Sequence, residues 1–279
     1  LKAGGKLFTD SGATHALIEQ IAILHQVGIR AVLVHGGGPQ STAMAGTLGL
    51  STEIIQGRRV TDESALEVAA MVLNGQINTR ILAICRELDV PAVGISGVDG
   101  GLIRATKRPP VRIDGGKSDP VDFGFVGDIE AVDVNVLQTQ LENGLVPIIS
   151  PLSADPQGTL LNINADTVAA ALAAALKAEK LIFLTDASGI LENSEDPGSL
   201  VSYLDLTGLQ RLLNSNALKT GMLPKAAAIE AAIEGGVLRV HVISYRVPDS
   251  LLLEIFTNEG TGTLIVKSIG ELTAAEQAH

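Results

Sequence analysis

Residues suited to phosphate binding occur directly after two apolar runs. The chain opens with Leu1-Lys2-Ala3-Gly4-Gly5, and the run Val32 to Val34 continues into His35-Gly36-Gly37-Gly38-Pro39. Glycines after a strand let the backbone approach a ligand closely, and exposed N–H groups in such a turn can cradle phosphate oxygens. Two turns of this kind, one with a lysine beside its glycines, predict a site for a polyphosphate and for the group that accepts the transfer.

Further polar residues stand alone at strand ends and helix starts: Arg59, the stretch Asn162 to Asp166, Asp186, and the stretch Gly221 to Lys225. With Lys2 they supply two ammonium groups from opposite ends of the chain, and a carboxylate. Phosphoryl transfer suits this set, because that reaction mainly needs its reactants positioned and its charge spread, and it needs no protein nucleophile. The chain has neither G-x-x-x-x-G-K-[ST] nor G-x-G-x-x-G. These absences exclude a P-loop and weaken a dinucleotide-binding interpretation.

Composition narrows the class of protein. At 279 residues, 46% of them apolar, the chain can form one large α/β domain or two lobes. A net charge of −11 argues against nucleic acid and anionic membrane as partners. The single cysteine, Cys85, excludes a disulfide framework and fits a reducing, cytoplasmic setting. The apolar stretch Thr167 to Leu176 is too short to span a bilayer, so no membrane segment is expected.

Apolar strand-like runs alternate with helical periodicity, which predicts a largely parallel sheet. Strands are expected at Ile29 to Val34, Pro91 to Ser96, Leu145 to Ser150, Leu160 to Ile163, Leu181 to Leu184, 238–243 and 263–266. Helices are expected after Asp10, from Gln40 to Leu48, after a cap at Thr61, from Gln76 to Leu88, after a cap at Asp133, from Ala165 to Ala178, and at about 222–235 and 248–256. Residues 97–131 predict hairpins with a loop over Lys107 to Asp122, and a second lobe is expected near Glu179.

The ordered motifs resemble those of the amino acid kinase family. They are Leu1 to Gly5, His35 to Pro39, Gly57 to Asp62, Asn162 to Asp166, Leu184 to Asp186 and Gly221 to Lys225, and the resemblance extends from Leu1 to about Val266. It implies an α/β three-layer sandwich with a central, mostly parallel, eight-stranded sheet. It also implies two lobes, one at 1–178 for an acyl-amino acid and one at 179–279 for ATP.

Within this family the motifs look most like those of members that act on N-acetyl-L-glutamate. The implied reaction transfers a phosphoryl group from ATP to the side-chain carboxylate, an early step of arginine biosynthesis, with Mg²⁺ on the ATP oxygens and no protein metal site. The resemblance makes Lys2, Asp166 and Lys225 catalytic, with Asp166 holding the two lysines. Backbone N–H groups would come from Gly4, Gly5, Gly36 and Gly37. Arg59 would bind the α-carboxylate, Asn162 the acetamido group, and Asp186 and Gly221 would lie on the nucleotide side.

Each residue alone also has a plainer interpretation. The glycines suit tight turns, Asp166 suits the first turn of a helix, and Lys225 suits an exposed helix face. His35 is expected to be a packed strand-end residue and Cys85 a core residue. Only the ordered set favours the catalytic interpretation.

Several alternatives stay open at this point. The acceptor could be N-succinylglutamate, a carrier-linked aminoadipate, aspartate or carbamate. The fold could also serve as a non-catalytic arginine-sensing domain, and a Rossmann dehydrogenase is a more distant alternative. The segment Val240 to Gly260 is similar to arginine-inhibited family members, although Tyr245 stands where they have glycine. An arginine effector and a homodimer or higher homo-oligomer are therefore implied.

Overall fold

The computed structural model describes residues 1–55, 58–112, 120–193, 196, 198–214, 222–257 and 260–273. The strands are β1 (Lys2–Ala3), β2 (Leu33–His35), β3 (Ile54–Ile55), β4 (Arg58–Arg59), β5 (Ala92–Ser96), β6 (Ile103–Lys107), β7 (Gly127–Val132), β8 (Val146–Ser150), β9 (Leu152–Ala154), β10 (Leu160–Asn162), β11 (Lys180–Thr185), β12 (Tyr203–Asp205), β13 (Arg239–Ser244) and β14 (Thr263–Val266). The helices are α1 (Ser11–Gln26), α2 (Gly38–Thr47), α3 (Glu63–Ala70), α4 (Thr79–Glu87), α5 (Asn135–Glu142), α6 (Ala165–Ala175), α7 (Leu206–Asn214), α8 (Leu223–Glu234) and α9 (Ser250–Phe256).

An eight-stranded sheet forms the centre of the molecule, in the order β12-β14-β13-β11-β1-β2-β8-β5. Neighbouring strands run parallel except β13 and β14, which are antiparallel. The predicted mostly parallel eight-stranded sheet is therefore confirmed. Because β1, β2 and β11 are parallel neighbours, their carboxyl ends meet at one edge of the sheet, which is where such sheets bind ligands.

Both faces of this sheet are buried, which explains the nearly continuous apolar runs in its strands. Successive residues face opposite sides: Leu33 and Val34 belong to different cores, as do Ile148 and Ile149. One core joins the sheet to α5, α6, α7 and α8, and we call this the α6–α8 side. The other joins it to α1, α2, α3, α4 and α9. The molecule thus has the three layers that the sequence predicts.

Helix starts follow the sequence closely, with two corrections. Asp10 caps α1 as predicted, and its carboxylate accepts from the N–H three residues ahead. The predicted cap at Thr61 is wrong: Asp62 caps α3, while Thr61 is fully buried and bonds through its backbone to residues 123 and 125. Asp133 also stands one residue too early, since the capping position of α5 is Val134. The bonds that draw Thr61 inward are non-local, so a local capping rule misses them.

One long helical run extends from Glu63 to Glu87 in the layer that contains α1, α2, α3, α4 and α9. Its middle, Met71–Asn78, is π-helical. Among the described helices this 25-residue run is long and apolar enough to cross a membrane, with a mean hydropathy of 1.3 in its most apolar window. The expectation drawn from Thr167 to Leu176 overlooked it. In this fold 44% of that window is buried, and Val72, Ile77 and Ile81 pack in the core.

A second, four-stranded sheet, β10-β9-β6-β7, brings the end of β10 to the site. Its β6 and β7 are antiparallel, which confirms a predicted hairpin. Residues 113–119 of the predicted loop lie outside the described residues. The elements β12 and α7 occupy a stretch for which the sequence predicts none, whereas β14 has the predicted bounds. The expected lobe boundary near Glu179 falls in the connection between α6 and β11.

Candidate active site

A cavity of about 340 Å³ opens where the two glycine turns meet the starts of α6 and α8. Residues from distant parts of the chain line the cavity, because the strands β1, β2 and β10 end beside it and the helices α2, α6 and α8 begin beside it. Of the site residues that the sequence predicts, the cavity is lined by Lys2, Gly5, Gly36, Gly37, Arg59, Asn162 and Asp166.

The position of Lys2 in the sheet directs its side chain. In the ladder Lys2 lies opposite Phe183 of β11 and Val34 of β2. Both partners belong to the core on the α6–α8 side, so Lys2 faces that side as well. The next residue, Ala3, faces the opposite core. A strand of two residues therefore aims an ammonium group at the helices that carry Asp166 and Lys225.

Three buried charged side chains meet at this point. The Oδ1 atom of Asp166 accepts from Lys2 Nζ at 2.8 Å and from Lys225 Nζ at 2.9 Å. The residues are 8%, 7% and 6% exposed, respectively. Lys225 Nζ also lies 4.5 Å from the centre of the Phe183 ring, within range of a cation–π attraction. Lys225 is therefore a buried lysine and not the exposed helix lysine of the plainer interpretation.

The cluster carries one positive charge in excess. Burial alone would raise the pKa of Asp166, but the charges of Lys2 and Lys225 and their hydrogen bonds lower that pKa to about 2. Burial, followed by the charge of Lys2, lowers the pKa of Lys225 to about 8. An uncompensated buried charge is costly, so this cluster is electrostatically suited to an anionic ligand.

Two helices begin at the cavity without a side-chain cap, namely α2 and α8. Gly37, at the start of α2, and Pro224, at the start of α8, line the cavity. The first N–H groups of a helix lack intrahelical partners and carry partial positive charge. At α6 the Asn164 side chain already accepts from the N–H groups of Asp166 and Thr167. The uncapped starts of α2 and α8 therefore add to the positive potential of the cavity.

The second glycine turn packs too closely for side chains. A Cβ atom on Gly37 would lie 2.6 Å from Leu73 and 2.7 Å from Ile77 in the π-helical segment. A Cβ atom on Gly5 would lie 2.8 Å from Pro39 of the other turn. A side chain at either place would force a neighbour to move: the side-chain ends of Leu73 and Ile77 at Gly37, and Pro39 at Gly5.

Gly36 and Gln40 connect the two turns. The Gly36 N–H donates to the Ala3 carbonyl at 2.8 Å, and Gln40 Nε2 donates to the Gly5 carbonyl at 2.7 Å. The Gly36 N–H is thus already used, which overturns the expectation that it donates to a ligand. Sequence reasoning missed the role of Gln40, which holds the first glycine turn against the second but is not among the residues that line the cavity. Its signal was its position directly after Pro39, in the first turn of a helix that starts at the glycines.

Arg59 is held at the start of α2. Its Nη1 donates to Thr52 Oγ1 at 3.1 Å, and its Nη2 donates to Thr42 Oγ1 at 2.6 Å and to the Gly38 carbonyl at 3.2 Å. Burial lowers the pKa of this guanidinium. The hairpin β3–β4 and the helix α2 thereby place a half-buried cation on the cavity wall.

Asn162 and Arg108 lie on the wall formed by the second sheet. Asn162 ends β10, and its Nδ2 donates weakly to Thr61 Oγ1 at 3.4 Å. Arg108 follows β6, and its Nε donates to Asp128 Oδ1 at 2.9 Å. Sequence reasoning missed Arg108, which is a second arginine in the cavity. Its signal was a position inside the loop predicted over Lys107 to Asp122.

Other predicted site residues stand outside the cavity wall. Lys225 reaches Asp166 from beside it, and Gly4 lies near the ammonium of Lys2, where a Cβ atom would be 3.7 Å from Nζ. Asp186 directly follows the strand β11, and its Oδ2 accepts from Lys6 Nζ at 2.8 Å. Gly221 lies outside the described residues, as does Gly57 of the motif that contains Arg59.

His35 and Cys85 behave as the plainer interpretations predict. His35 is fully buried, and burial lowers its pKa to about 4. Cys85 packs in the core, and burial raises the pKa of its thiol to about 11. In the part of the chain that the structure describes, no group of three or more histidine, cysteine, aspartate or glutamate side chains could hold a metal ion.

Comparison with known proteins decides the family. The model of the amino acid kinase family matches residues 1–244. The chain belongs to the amino acid kinase family. The predicted family and fold are therefore confirmed, and within this family the matched region contains every described residue of the Lys2, Asp166 and Lys225 cluster.

Two relatives are named acetylglutamate kinase. The protein from Myxococcus xanthus is 48% identical over 270 residues, which is 96% of this chain and 88% of the relative. The protein from Heliobacterium modesticaldum is 43% identical, over 96% of this chain and 91% of the relative. Both similarities extend over nearly the full length of each protein.

Among solved structures, the chain is similar to the N-acetylglutamate synthase from Neisseria gonorrhoeae complexed with coenzyme A and N-acetyl-glutamate. The TM-score is 0.81 at 31% identity, and the match covers 96% of this chain and 58% of that chain. This chain thus spans a little over half of the synthase. The two proteins therefore share the amino acid kinase fold over nearly the whole of this chain.

Proposed function

We propose that this chain transfers the γ-phosphoryl group of ATP to the side-chain carboxylate of N-acetyl-L-glutamate, giving N-acetylglutamyl phosphate for arginine biosynthesis. The observation that carries the proposal is the buried contact of Lys2 and Lys225 with one oxygen of Asp166, beside a cavity that also contains Arg59 and Asn162. Relatives that are 40% to 48% identical over nearly the whole chain, all named acetylglutamate kinase, support it.

The charge balance of the site suits this reaction. The attacking carboxylate is ionised at neutral pH, so no general base is needed. Its main difficulty is repulsion from the triphosphate. Lys2 and Lys225 would contact the oxygens of the transferring phosphoryl group, and each charge-assisted hydrogen bond is worth about 1.5–3 kcal/mol. Asp166 would hold both ammonium groups in place between the reactants.

The acceptor would bind at the wall made by α2 and the second sheet. Arg59 would pair with the α-carboxylate through the N–H groups that Thr52, Thr42 and Gly38 leave free, and a bidentate fork would require Nη2 to release Thr42 or Gly38. Asn162 would hydrogen-bond the acetamido group, and Gly37 would donate its N–H to the transferring group. Arg108 adds a second cation on this wall and is favourable for an acceptor with more than one carboxylate.

The nucleotide would bind on the opposite side, in the C-terminal lobe. We assign 1–178 to the acyl-amino-acid lobe and 179–279 to the ATP lobe. Gly4 and Gly5 would contact the phosphates, and Asp186 and Gly221 would belong to the nucleotide side. Lys2 and Lys225 come one from each lobe, so closure of the lobes would bring both to the bridging phosphorus.

Mg²⁺ would arrive as part of the substrate MgATP. The described residues provide no cluster of carboxylates for it, and Asp166 is already engaged by two lysines. A cation bound by phosphate oxygens and water suits such a site, because Mg²⁺ usually keeps several waters. With ATP as substrate and one cysteine, we place the protein in the cytoplasm.

An assay of ADP release tests this function. N-Acetyl-L-glutamate, N-succinylglutamate, aminoadipate and aspartate are supplied separately with MgATP, and hydroxylamine traps any acyl phosphate as a hydroxamate. We expect ADP and hydroxamate in equal amounts with N-acetyl-L-glutamate. Preferred turnover of aminoadipate or aspartate, or no turnover of any acceptor, contradicts the proposal. The last result would favour the non-catalytic sensing domain.

We extend the proposal to an arginine effector and to a homo-oligomer. His241 Nδ1 lies 2.6 Å from Glu254 Oε1 in a buried pair, and Glu254 Oε2 accepts from the Thr261 N–H at 2.7 Å. This buried acid lies in the segment that resembles arginine-inhibited family members. We expect millimolar arginine to raise the apparent KM for the acceptor. A flat arginine titration would count against the effector.

A further inference from the structure

A buried pair, Asn78 and His35, lies directly behind the second glycine turn. His35 is fully buried at the end of β2, and Asn78 is 5% exposed at the end of the π-helical segment. Asn78 Nδ2 is 3.2 Å from His35 Nε2, and His35 Nδ1 is 3.4 Å from the Gly36 carbonyl oxygen. Asn78 thus contacts His35, and His35 in turn contacts the backbone of the turn.

The contacts of Asn78 determine which nitrogen of His35 carries the proton. Asn78 Nδ2 also lies 3.0 Å from the Ile148 carbonyl, and a carbonyl can only accept, so this amide group is a donor. The same amide therefore donates to His35 Nε2, which must be the unprotonated nitrogen. In a neutral imidazole the proton then resides on Nδ1, which donates to the Gly36 carbonyl. Burial lowers the pKa of His35 to about 4 and keeps the ring neutral.

This long hydrogen bond favours one orientation of a peptide plane of the turn. The carbonyl and N–H of a trans peptide point in opposite directions, and the described chain contains no cis peptide bonds. With the Gly36 carbonyl turned toward His35, the Gly37 N–H of the same peptide faces away from it. The preceding peptide is fixed, because the Gly36 N–H donates to the Ala3 carbonyl at 2.8 Å.

We propose that Asn78 and His35 are positioning residues that aim the Gly37 N–H at the oxygen on which charge develops during phosphoryl transfer. The inference rests on the proposed function. Gly37 lines the cavity at the uncapped start of α2, on the same wall as Gly38 and Ser41. A donor oriented beforehand stabilises developing charge without reorganising during the reaction.

The π-helical segment Met71–Asn78 packs against both Gly37 and His35. Leu73 and Ile77 contact the other side of Gly37, since a Cβ atom there would lie within 2.7 Å of both. Asn78 follows Ile77 directly, and Gly94 of β5 leaves room for its amide, because a Cβ atom there would lie 1.9 Å from Asn78 Oδ1. π-Helical turns occur often at functional sites, where they re-aim side chains. Here the segment supports the turn and supplies the donor to His35.

A matched pair of substitutions tests the proposal. The side-chain amide of asparagine overlaps Nδ1 of histidine, and that of glutamine overlaps Nε2. His35→Asn therefore keeps the donor to the Gly36 carbonyl, whereas His35→Gln keeps only the contact with Asn78. We expect kcat to fall at least tenfold in His35→Gln and less than threefold in His35→Asn, with both KM values within twofold of the unsubstituted protein. Equal losses of kcat in two folded variants would overturn the proposal, as would a change confined to KM.

A measurement on the unsubstituted protein does not depend on how the variants fold. Nitrogen-15 NMR distinguishes the protonated from the unprotonated nitrogen of a histidine ring, and we expect the Nδ1–H form of His35 from pH 6 to 9. Observation of the Nε2–H form overturns the positioning role. Failure of the proposed function would look different, because the unsubstituted protein would then transfer no phosphoryl group while the ring still showed the Nδ1–H form.

Discussion

The Asp166 carboxylate is the residue on which the site depends, because it holds two ammonium groups that would otherwise repel each other. Both contacts go to the same oxygen, Oδ1, and all three residues are more than nine-tenths buried. Breaking a buried ion pair by removing one partner typically costs about 3–5 kcal/mol. The second ammonium group has no carboxylate of its own, and a buried charge without a partner lowers the stability of the protein. A bound phosphoryl group would supply the missing negative charge.

Removing either ammonium group should slow the chemical step. We expect Lys2→Ala and Lys225→Ala each to lower kcat at least about tenfold, equivalent to about 1.4 kcal/mol of transition-state stabilisation. Steady-state kinetics with saturating MgATP and N-acetyl-L-glutamate provide the measurement. Lys180→Ala, at an exposed position of β11, is the control and should keep its turnover. Unchanged kcat in both cluster variants would refute the assignment.

The lowered pKa of Lys225 predicts a basic limit for the proposed reaction. Its ammonium is charged below a pKa of about 8 and loses its proton above it, so the attraction for phosphate is present at neutral pH and is lost as the pH rises. We expect kcat/KM for ATP, which reports the free enzyme, to fall above about pH 8. In Lys225→Arg the charge persists, and the decline should move to higher pH. A decline at the same pH in that variant would assign it to another group.

Among the elements, the π-helical segment and the second glycine turn act as a unit. Gly37→Ala should destabilise the protein by about 1–3 kcal/mol, because the new methyl group meets Leu73 and Ile77. Gly46→Ala in α2 is the opposite case: its Cβ atom meets nothing within 4 Å, and alanine favours a helix interior by about 0.5–1 kcal/mol. Urea denaturation of both variants measures the difference. A stability of Gly37→Ala equal to that of Gly46→Ala would show that the turn tolerates a side chain.

Local patterns predicted the elements well where local forces decide. The Asp10 carboxylate caps α1 and the strand 263–266 has its predicted bounds, because a capping residue and a short apolar run are local features of the sequence. The π-helical geometry of Met71–Asn78 was not predicted, and its contacts, with Gly37 and with Ser150, come from distant parts of the chain that local patterns do not report. Thr61 was misassigned for the same reason: its backbone bonds to Phe123 and Phe125, far along the chain.

The site residues likewise divide into those that sequence motifs mark and those that only contacts between distant parts of the chain reveal. The order of the motifs led to Lys2, Asp166 and Lys225 together, although they are separated by most of the chain. Arg108 was missed, because no motif marks it and only the tertiary fold brings it to the cavity. The role of Gln40 was missed because its bond to the Gly5 carbonyl joins two turns that lie 35 residues apart in the chain. The Gly36 N–H was assigned to a ligand because its bond to Ala3 cannot be deduced from spacing.

At the scale of the whole molecule, the cavity should couple acceptor binding to stability. A ligand present at about 100 times its Kd stabilises the native state by about 2.7 kcal/mol. We therefore expect N-acetyl-L-glutamate to raise Tm by about 5 °C for a chain of this size. Arg59→Ala should abolish the increase, because it removes the partner proposed for the α-carboxylate. An equal increase in this variant, measured by calorimetry, would place the acceptor elsewhere.

The meeting of Lys2 with Lys225 has a consequence for folding. Lys2 precedes Asp166 in the chain and Lys225 of α8 follows it, so the aspartate gains its second ammonium partner only when α8 has packed beside α6. We expect a truncated chain that lacks α8 to stay inactive even where the rest of it is compact, because its aspartate would then hold a single lysine.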